Sequence, residues 1–331
     1  MDPWKPVDRA VITHAHSDHA RWGSKNYLCS VTGKEVLRER LGNVQIEAIP
    51  YGEKISMNGV AVSLHPAGHL LGSAQVRVEH RGEVWVASGD YKTQPDRTCE
   101  PFEVVRCNTF ITESTFGLPI YRWRPETELF ADLNDWWRAN GERGWTSILF
   151  AYSLGKAQRV LGGIDPSIGP ILVHGSIPRL NAAYARGGIQ LPEAHHAQAE
   201  NAKSAKGRAL VIAPPSVGDS PWLKKFAPYS LAMASGWMQI RGTRRRRAMD
   251  RGFALSDHAD WQGLLDTIKA TGAETIGVTH GYTAPMVRWL QEQGWSAFRL
   301  PTLFEGEGDT EVEGPEEAEA ILEDEKRRPN E

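Results

Sequence analysis

Residues 11–19 read Val-Ile-Thr-His-Ala-His-Ser-Asp-His, and they put four metal-ligating side chains, His14, His16, Asp18 and His19, within six positions behind a short apolar run. In an extended segment side chains two apart share a face, so His14 and His16 can grip one ion together. Asp18 and His19 are adjacent and point apart unless the backbone turns. With Ser17 or Asp18 capping a helix that starts there, this pair swings toward a second ion roughly 4 Å from the first. The bland alternative is a polar loop rich in histidine. With 11 histidines among 331 residues, a chance His-x-His-x-Asp-His arises in on the order of one in a few thousand chains of this composition, which favours metal.

A chain of this length with 40% apolar residues can bury a full core, as one large domain or two modest ones. No apolar run approaches the roughly 18 residues of a membrane span, and the opening Met-Asp-Pro-Trp-Lys-Pro lacks the regions of a signal peptide. A cytoplasmic location without membrane contact is therefore expected. Cys29, Cys99 and Cys107 are odd in number and widely spaced, which argues against a disulfide framework and a thiolate zinc site. The net charge of -3 conceals an uneven spread. Residues 117–247 hold 18 Lys and Arg against 9 Asp and Glu, whereas 305–331 hold 3 against 12.

His-x-His-x-Asp-His directly after a strand resembles the signature of the metallo-β-lactamase fold, which hydrolyses thioesters, lactams and phosphodiesters alike, so fold alone does not give the substrate. Residues 11–13 read as an interior strand with none before it, where members of that fold usually carry strands. Asp2 matches the place of the family's supporting aspartate. Further along, His69 stands between Gly68 and Gly72, whose missing side chains let the backbone pass close to a site, and it resembles the family's third metal motif. His65 reads as structural. The alternating strand 83–87 runs out at Ser88-Gly89-Asp90, and a carboxylate there can bridge two ions.

The strand 109–112 ends in Glu113-Ser114-Thr115-Phe116-Gly117, which resembles the first motif of the β-CASP nucleases, the branch of this fold that cuts nucleic acids. The resemblance implies an α/β architecture, a metallo-β-lactamase αββα sandwich with an inserted α/β β-CASP cap. Its parts are expected at 1–116 (first part of the sandwich), 117–247 (cap), 248–304 (second part) and 305–331 (an acidic, disordered tail). Within the insert, apolar periodicity predicts a helix over 127–140, with Trp136 and Trp137 in the core, and buried strands at 147–152, 171–174 and 209–212. His195 and His196 read as surface residues of a polar helix. Gly155-Lys156-Ala157-Gln158 resembles the cap's strand-to-helix turn. It is not a P-loop, but a helix start with Lys156 can hold a polymer phosphate. Arg244, Arg245, Arg246 and Arg247 are expected to meet further phosphates.

Ser256-Asp257-His258-Ala259-Asp260 matches the nucleases' second motif and His280-Gly281 the third. The resemblance thus implies two ligand sets sharing Asp90: His14, His16 and His69 for one ion, Asp18, His19 and His280 for the other. Such mixed nitrogen and oxygen donors suit two Zn²⁺, with Mn²⁺ as the alternative. It implies catalysis by Asp18 and Asp90 through the metals, by a hydroxide formed from water acidified to a pKa of about 7, and by His258 as general acid oriented by Glu113.

The arginine run before Leu-Ser-Asp-His-Ala-Asp is similar to the DNA-ligase-associated exonucleases. That likeness implies a DNA exonuclease in DNA repair, with a DNA ligase and a helicase as partners in the pathway. An RNA-processing nuclease, of the ribonuclease J or mRNA 3'-end type, is the alternative, because His280 stands where RNA-cutting members carry histidine. A small-molecule thioester or lactam hydrolase would need neither a basic cap nor His258, and non-catalytic members lose metal ligands that are all present here.

Overall fold

The computed structural model describes residues 1–240, 242 and 249–302. The arginine run 244–247 and the acidic tail 305–331 lie outside the described residues.

Alternation in the opening stretch builds the first layer. β1 (Arg9–Val11) pairs in parallel with β2 (Asn26–Ser30), and β2 with β3 (Ile46–Ile49). Ala10, Ile12, Tyr27 and Cys29 turn to one face, under Val36, Leu37 and Leu41 of α1 (Lys34–Leu41). Val11, Leu28 and Ile49 turn to the other, where they meet Val62, Leu64 and Val76 of a second sheet.

That sheet begins with β4 (Ile55–Met57), β5 (Val60–Pro66), β6 (Ala74–His80) and β7 (Glu83–Ala87), successively antiparallel, and continues in parallel to β8 (Thr109–Glu113). The chain then leaves it. α2 (Glu126–Glu142), α3 (Lys156–Gly163) and α4 (Pro178–Arg186) accompany six strands: β9 (Thr146–Phe150), β10 (Ile171–Val173), β11 (His195–His196), β12 (Leu210–Ala213), β13 (Tyr229–Ala234) and β14 (Arg251–Phe253). Their order is β11-β10-β12-β9-β13-β14, every pair parallel. A parallel sheet is covered on both faces, which explains the unbroken burial of β9 and β12. Leu133, Trp136, Trp137, Val160 and Leu161 cover one face and Leu223, Phe226, Ala202 and Ala205 the other. The paired tryptophans are core residues whose indole N–H groups donate to Ser230 Oγ and the Arg208 carbonyl.

The chain returns beside the strand it left. β15 (Thr275–Thr279) pairs in parallel with β8, Thr279 opposite Glu113, and β16 (Ser296–Arg299) extends the sheet to seven strands. Helices Trp261–Thr271 and Thr283–Glu292 lay Leu264, Ile268, Met286 and Leu290 on Val86, Phe110, Ile276 and Val278. The layers therefore run helix, sheet, sheet, helix. The six-stranded unit is docked on them through α4, where Tyr184 shares the core of α1 and Arg186 pairs with Glu35 and Glu39 at 3.0 and 2.8 Å.

Three expectations are corrected. No helix begins at Ser17 or Asp18: the Ala20 N–H closes a single turn on the His16 carbonyl at 2.8 Å, and the segment goes no further as helix. His195 and His196 are exposed, but on an edge strand paired with β10 and not in a helix. The six-stranded sheet reaches Phe253, past residue 247, because β14 is needed to pair with β13. Among the described residues no helix is long and apolar enough to cross a membrane.

Candidate metal centre

Three parallel strands deliver one side of the site at their C-terminal ends. β7 runs into Ser88-Gly89-Asp90, β8 ends on Glu113, and β15 ends one residue before His280. Open parallel sheets present ligand sites at that edge. His280 has a left-handed backbone (φ 55°), unusual for a side chain with a Cβ, and the Ser114 hydroxyl donates to its carbonyl to hold it. His14, His16, Asp18 and His19 arrive from the loop after β1. His69 comes from the loop between β5 and β6, where a Cβ on Gly68 would lie 2.3 Å from the Lys92 carbonyl and one on Gly72 would lie 2.0 Å from Gly33 Cα.

The outer hydrogen bonds of the histidines fix which nitrogens face inward. His69 Nδ1 meets the Asp257 carbonyl at 2.8 Å and His16 Nε2 the Leu154 carbonyl at 3.3 Å. His19 Nδ1 meets Asp2 Oδ2 at 2.9 Å. His14 Nδ1 meets Thr13 Oγ1 at 3.1 Å, and that hydroxyl donates to Asp2 Oδ2 at 2.7 Å. Each of these oxygens can only accept, so each outer nitrogen carries a proton, and in the neutral imidazole the inner nitrogen is then a bare lone pair. The inner nitrogens nevertheless converge: His14 Nε2 and His69 Nε2 stand 3.2 and 3.1 Å from His16 Nδ1, with Asp90 Oδ2 3.6 Å from the first and 3.9 Å from the second. Lone pairs cannot hydrogen-bond one another. Four donors around an ion at about 2.0 Å would be about 3.3 Å apart in a tetrahedron, and a cation fits this set.

A second group adjoins it. His19 Nε2 is 3.5 Å from both Asp18 Oδ2 and Asp90 Oδ2, and His280 Nδ1 is 3.7 Å from Asp90 Oδ1. His19 Nε2, Asp18 Oδ1 and Asp90 Oδ1 are buried without a hydrogen-bond partner, a costly condition that a shared cation would relieve. Asp90 thus belongs to both groups. Against the cost of burial, His19, His280 and His258 hold its carboxyl well below the usual range. Burial, then neighbouring imidazoles, push His14 and His69 well below an ordinary histidine. His19 goes the other way, because Asp90 and Asp2 outweigh burial.

His258 lies against the same carboxylate, in a third cluster with Asp90 and Glu113, and is engaged by Glu113. Its Nδ1 donates to Glu113 Oε1 at 2.8 Å, and Glu113 is held by the Tyr91 and Thr115 N–H groups at 2.9 and 3.2 Å. Against burial, the Glu113 carboxylate lifts His258 to about 9.

Asp2 sits where the resemblance puts a supporting aspartate, and a second supporting feature was illegible in the motifs. Asp2 orients both His14 and His19, and its amide closes on the Val11 carbonyl at 2.8 Å. The second feature is a buried ionic network beneath the site. Arg159 bonds Asp257 at 3.0 Å, Asp96 at 3.3 Å and Glu126, while Lys92 bonds Asp96 at 2.9 Å and Glu126 at 3.0 Å. Lys156 belongs here too. Its ammonium is buried, 2.8 Å from Asp257 Oδ2 and from the Leu255 carbonyl, and burial lowers it to about 8. The expected phosphate contact of Lys156 is therefore withdrawn: its charge is spent on Asp257. Arg244, Arg245, Arg246 and Arg247 lie outside the described residues.

No family model matches the chain. Among curated proteins it is 31% identical over 304 residues to a probable DNA ligase of Opitutus terrae, covering 91% of this chain and 29% of that protein. It is 30% identical over 164 residues to the endoribonuclease YSH1 of Eremothecium gossypii (49% of this chain, 20% of that one), and 31% identical over 125 residues to the cleavage and polyadenylation specificity factor subunit 3 of Dictyostelium discoideum (37% and 16%). The chain spans under a third of the length of each. A protein of unknown function from Enterococcus faecalis shares the fold, with a TM-score of 0.60 at 12% identity over 90% of this chain and 80% of that one. Motif order, the convergent histidines and these relatives point the same way as the sequence resemblance, to the β-CASP branch of the metallo-β-lactamase fold.

Proposed function

We propose that this chain is a two-metal phosphodiesterase acting on nucleic acid, and specifically a DNA exonuclease of a repair pathway linked to a DNA ligase. Residues 1–116 and 248–304 form the αββα sandwich and 117–247 the β-CASP cap, with β14 lent back to the cap's sheet. His14, His16, His69 and Asp90 hold one ion, and Asp18, His19, His280 and the same Asp90 hold the other, zinc or manganese in each. Bound dications acidify water and offset charge on the phosphoryl oxygens.

The chain's own groups do the rest. His258 carries the reading: it clusters with Asp90 and Glu113, but its Nδ1 is taken up by Glu113, which leaves its other nitrogen to give a proton to the departing sugar oxygen. A thioester or lactam hydrolase has no need of it. Glu113 fixes the ring and favours its protonated form.

DNA is preferred over RNA because the relative that matches 91% of the chain is named a probable DNA ligase, so the matched segment shares a polypeptide with what that name describes. The second reading, an RNA-processing endonuclease, draws on His280 beside Asp90 and on the endoribonuclease relatives. End-labelled single- and double-stranded DNA and matching RNA, incubated with the protein and zinc or manganese, discriminate. A ladder from DNA alone is expected. Preferential cutting of RNA transfers the conclusion to the second reading, and intact diesters throughout overturn both.

A further inference from the structure

A cleft of about 680 Å³ opens beside the metal centre, lined by His16 and by residues from both halves of the molecule. One wall carries Trp22 and Arg40, the other Ser153, Ser176 and Arg179. Isolated exposed aromatics usually signify nothing, but Trp22 is unlike them. It is 63% exposed, yet its Nε1–H is tied to the Leu41 carbonyl at 3.1 Å and the Arg40 guanidinium lies 5.6 Å from its ring centroid. A flat ring held still, open on the cleft and flanked by a cation, is what a nucleobase stacks on.

The facing wall supplies charge. Arg179 is exposed and makes no ion pair among the described residues, whereas Arg186, two turns along the same helix, is spent on Glu35 and Glu39. Glu39 is the one carboxylate on the cleft wall, and Arg186 neutralises it, so the lining is cationic on balance. The Ser153 and Ser176 hydroxyls, 2.7 Å apart, add polar groups beside Arg179.

We propose that this cleft is a subsite for a single polynucleotide strand next to the scissile phosphate, with a base stacked on Trp22 and the flanking phosphates met by Arg179 and Arg40. The inference rests on the nuclease reading above. The volume is that of a pocket for one small molecule, room for about one or two nucleotides and not for a duplex, so paired ends must open before they reach His16.

The test is binding of fluorescein-labelled single-stranded DNA and RNA 6-mers, in separate arms, by anisotropy, with thermal melting as a check on folding. Trp22→Ala should weaken binding roughly 5- to 100-fold, the loss of one base-stacking contact, and Trp22→Phe should restore most of it. Arg179→Ala should reduce the slope of log affinity against log salt by about 1. Trp85→Ala, an exposed tryptophan on β7, should change nothing. Unaltered affinity in folded Trp22→Ala, or equal loss in Trp85→Ala, overturns the subsite even where the wild type cuts oligonucleotides. A wild type that binds oligonucleotides as proposed but cuts none strikes the nuclease reading and leaves the subsite standing.

Discussion

Replacing Arg159 by leucine tests whether the buried ionic network is what carries the metal centre. The network balances three cations, Lys92, Lys156 and Arg159, against Asp96, Glu126 and Asp257. Arg159 alone touches all three carboxylates, and its side chain is 3% exposed, so solvent screens little of the interaction. Removing one partner of a buried set leaves an uncompensated charge, at a cost of about 3 to 5 kcal/mol. A chain of this size unfolds with an entropy of about 0.6 kcal/mol per degree, so the midpoint should fall by about 5 to 8 °C. The same loss should reach the metals, because Asp257 accepts from His69 through its backbone and precedes His258. An orienting contact of this kind is typically worth 10- to 100-fold in metal affinity. Scanning calorimetry and chelator competition measure the two effects. Arg159→Lys keeps the charge but not the fork, and should recover only part of either. A leucine variant that melts within a degree or two of the wild type, with metal affinity intact, would show that the network is ornamental.

Four further outcomes are expected. His258→Ala should keep both metals and lose roughly 10²- to 10⁴-fold in rate; full activity refutes the general-acid assignment. His280→Ala should empty one metal position selectively, so elemental analysis giving the wild-type metal content would remove it from the ligand set. Asp2→Ala, which unties His14 and His19 at once, should weaken metal binding by about 10- to 100-fold, read as the chelator concentration that halves activity; an unchanged value would make Asp2 a bystander. Replacing Arg244 to Arg247 by alanine should flatten the salt dependence of DNA binding by about 1 per lost phosphate contact, and an unchanged slope would place the run away from the substrate.

Much of the candidate site could be read in order along the chain because its residues sit where elements end: His14 after β1, Asp90 after β7, Glu113 at the end of β8, His280 after β15. Strand ends and glycine pairs are local signals. The buried strands of the six-stranded sheet were legible for the same reason, as unbroken apolar runs. What escaped depends on partners far away in sequence. Lys156 reads as a phosphate hook beside a helix start, and only the fold reveals that Asp257, 101 positions on, claims its charge. The turn after Asp18 reads as a helix cap because Ser and Asp favour caps, but no helix-forming run follows to propagate it. His195 and His196 sit among helix formers, and a vacant sheet edge beside β10 overrides that preference.

The outer contacts of the histidines bear on how the centre is assembled. His14 and His19 are oriented from within their own half, by Thr13 and Asp2. His16 and His69 are oriented by carbonyls of Leu154 and Asp257, which follow the C-terminal ends of β9 and β14 at the same edge of the six-stranded sheet. The tautomers that leave His16 Nδ1 and His69 Nε2 bare are therefore set only when that unit is docked. Before docking either ring can turn or carry its proton on the inner nitrogen, and a protonated nitrogen is no ligand. On the proposed function, the first candidate site is completed by the same contact that forms the cleft beside it, so metal loading would depend on that docking and on the ionic network around Arg159 that underlies it.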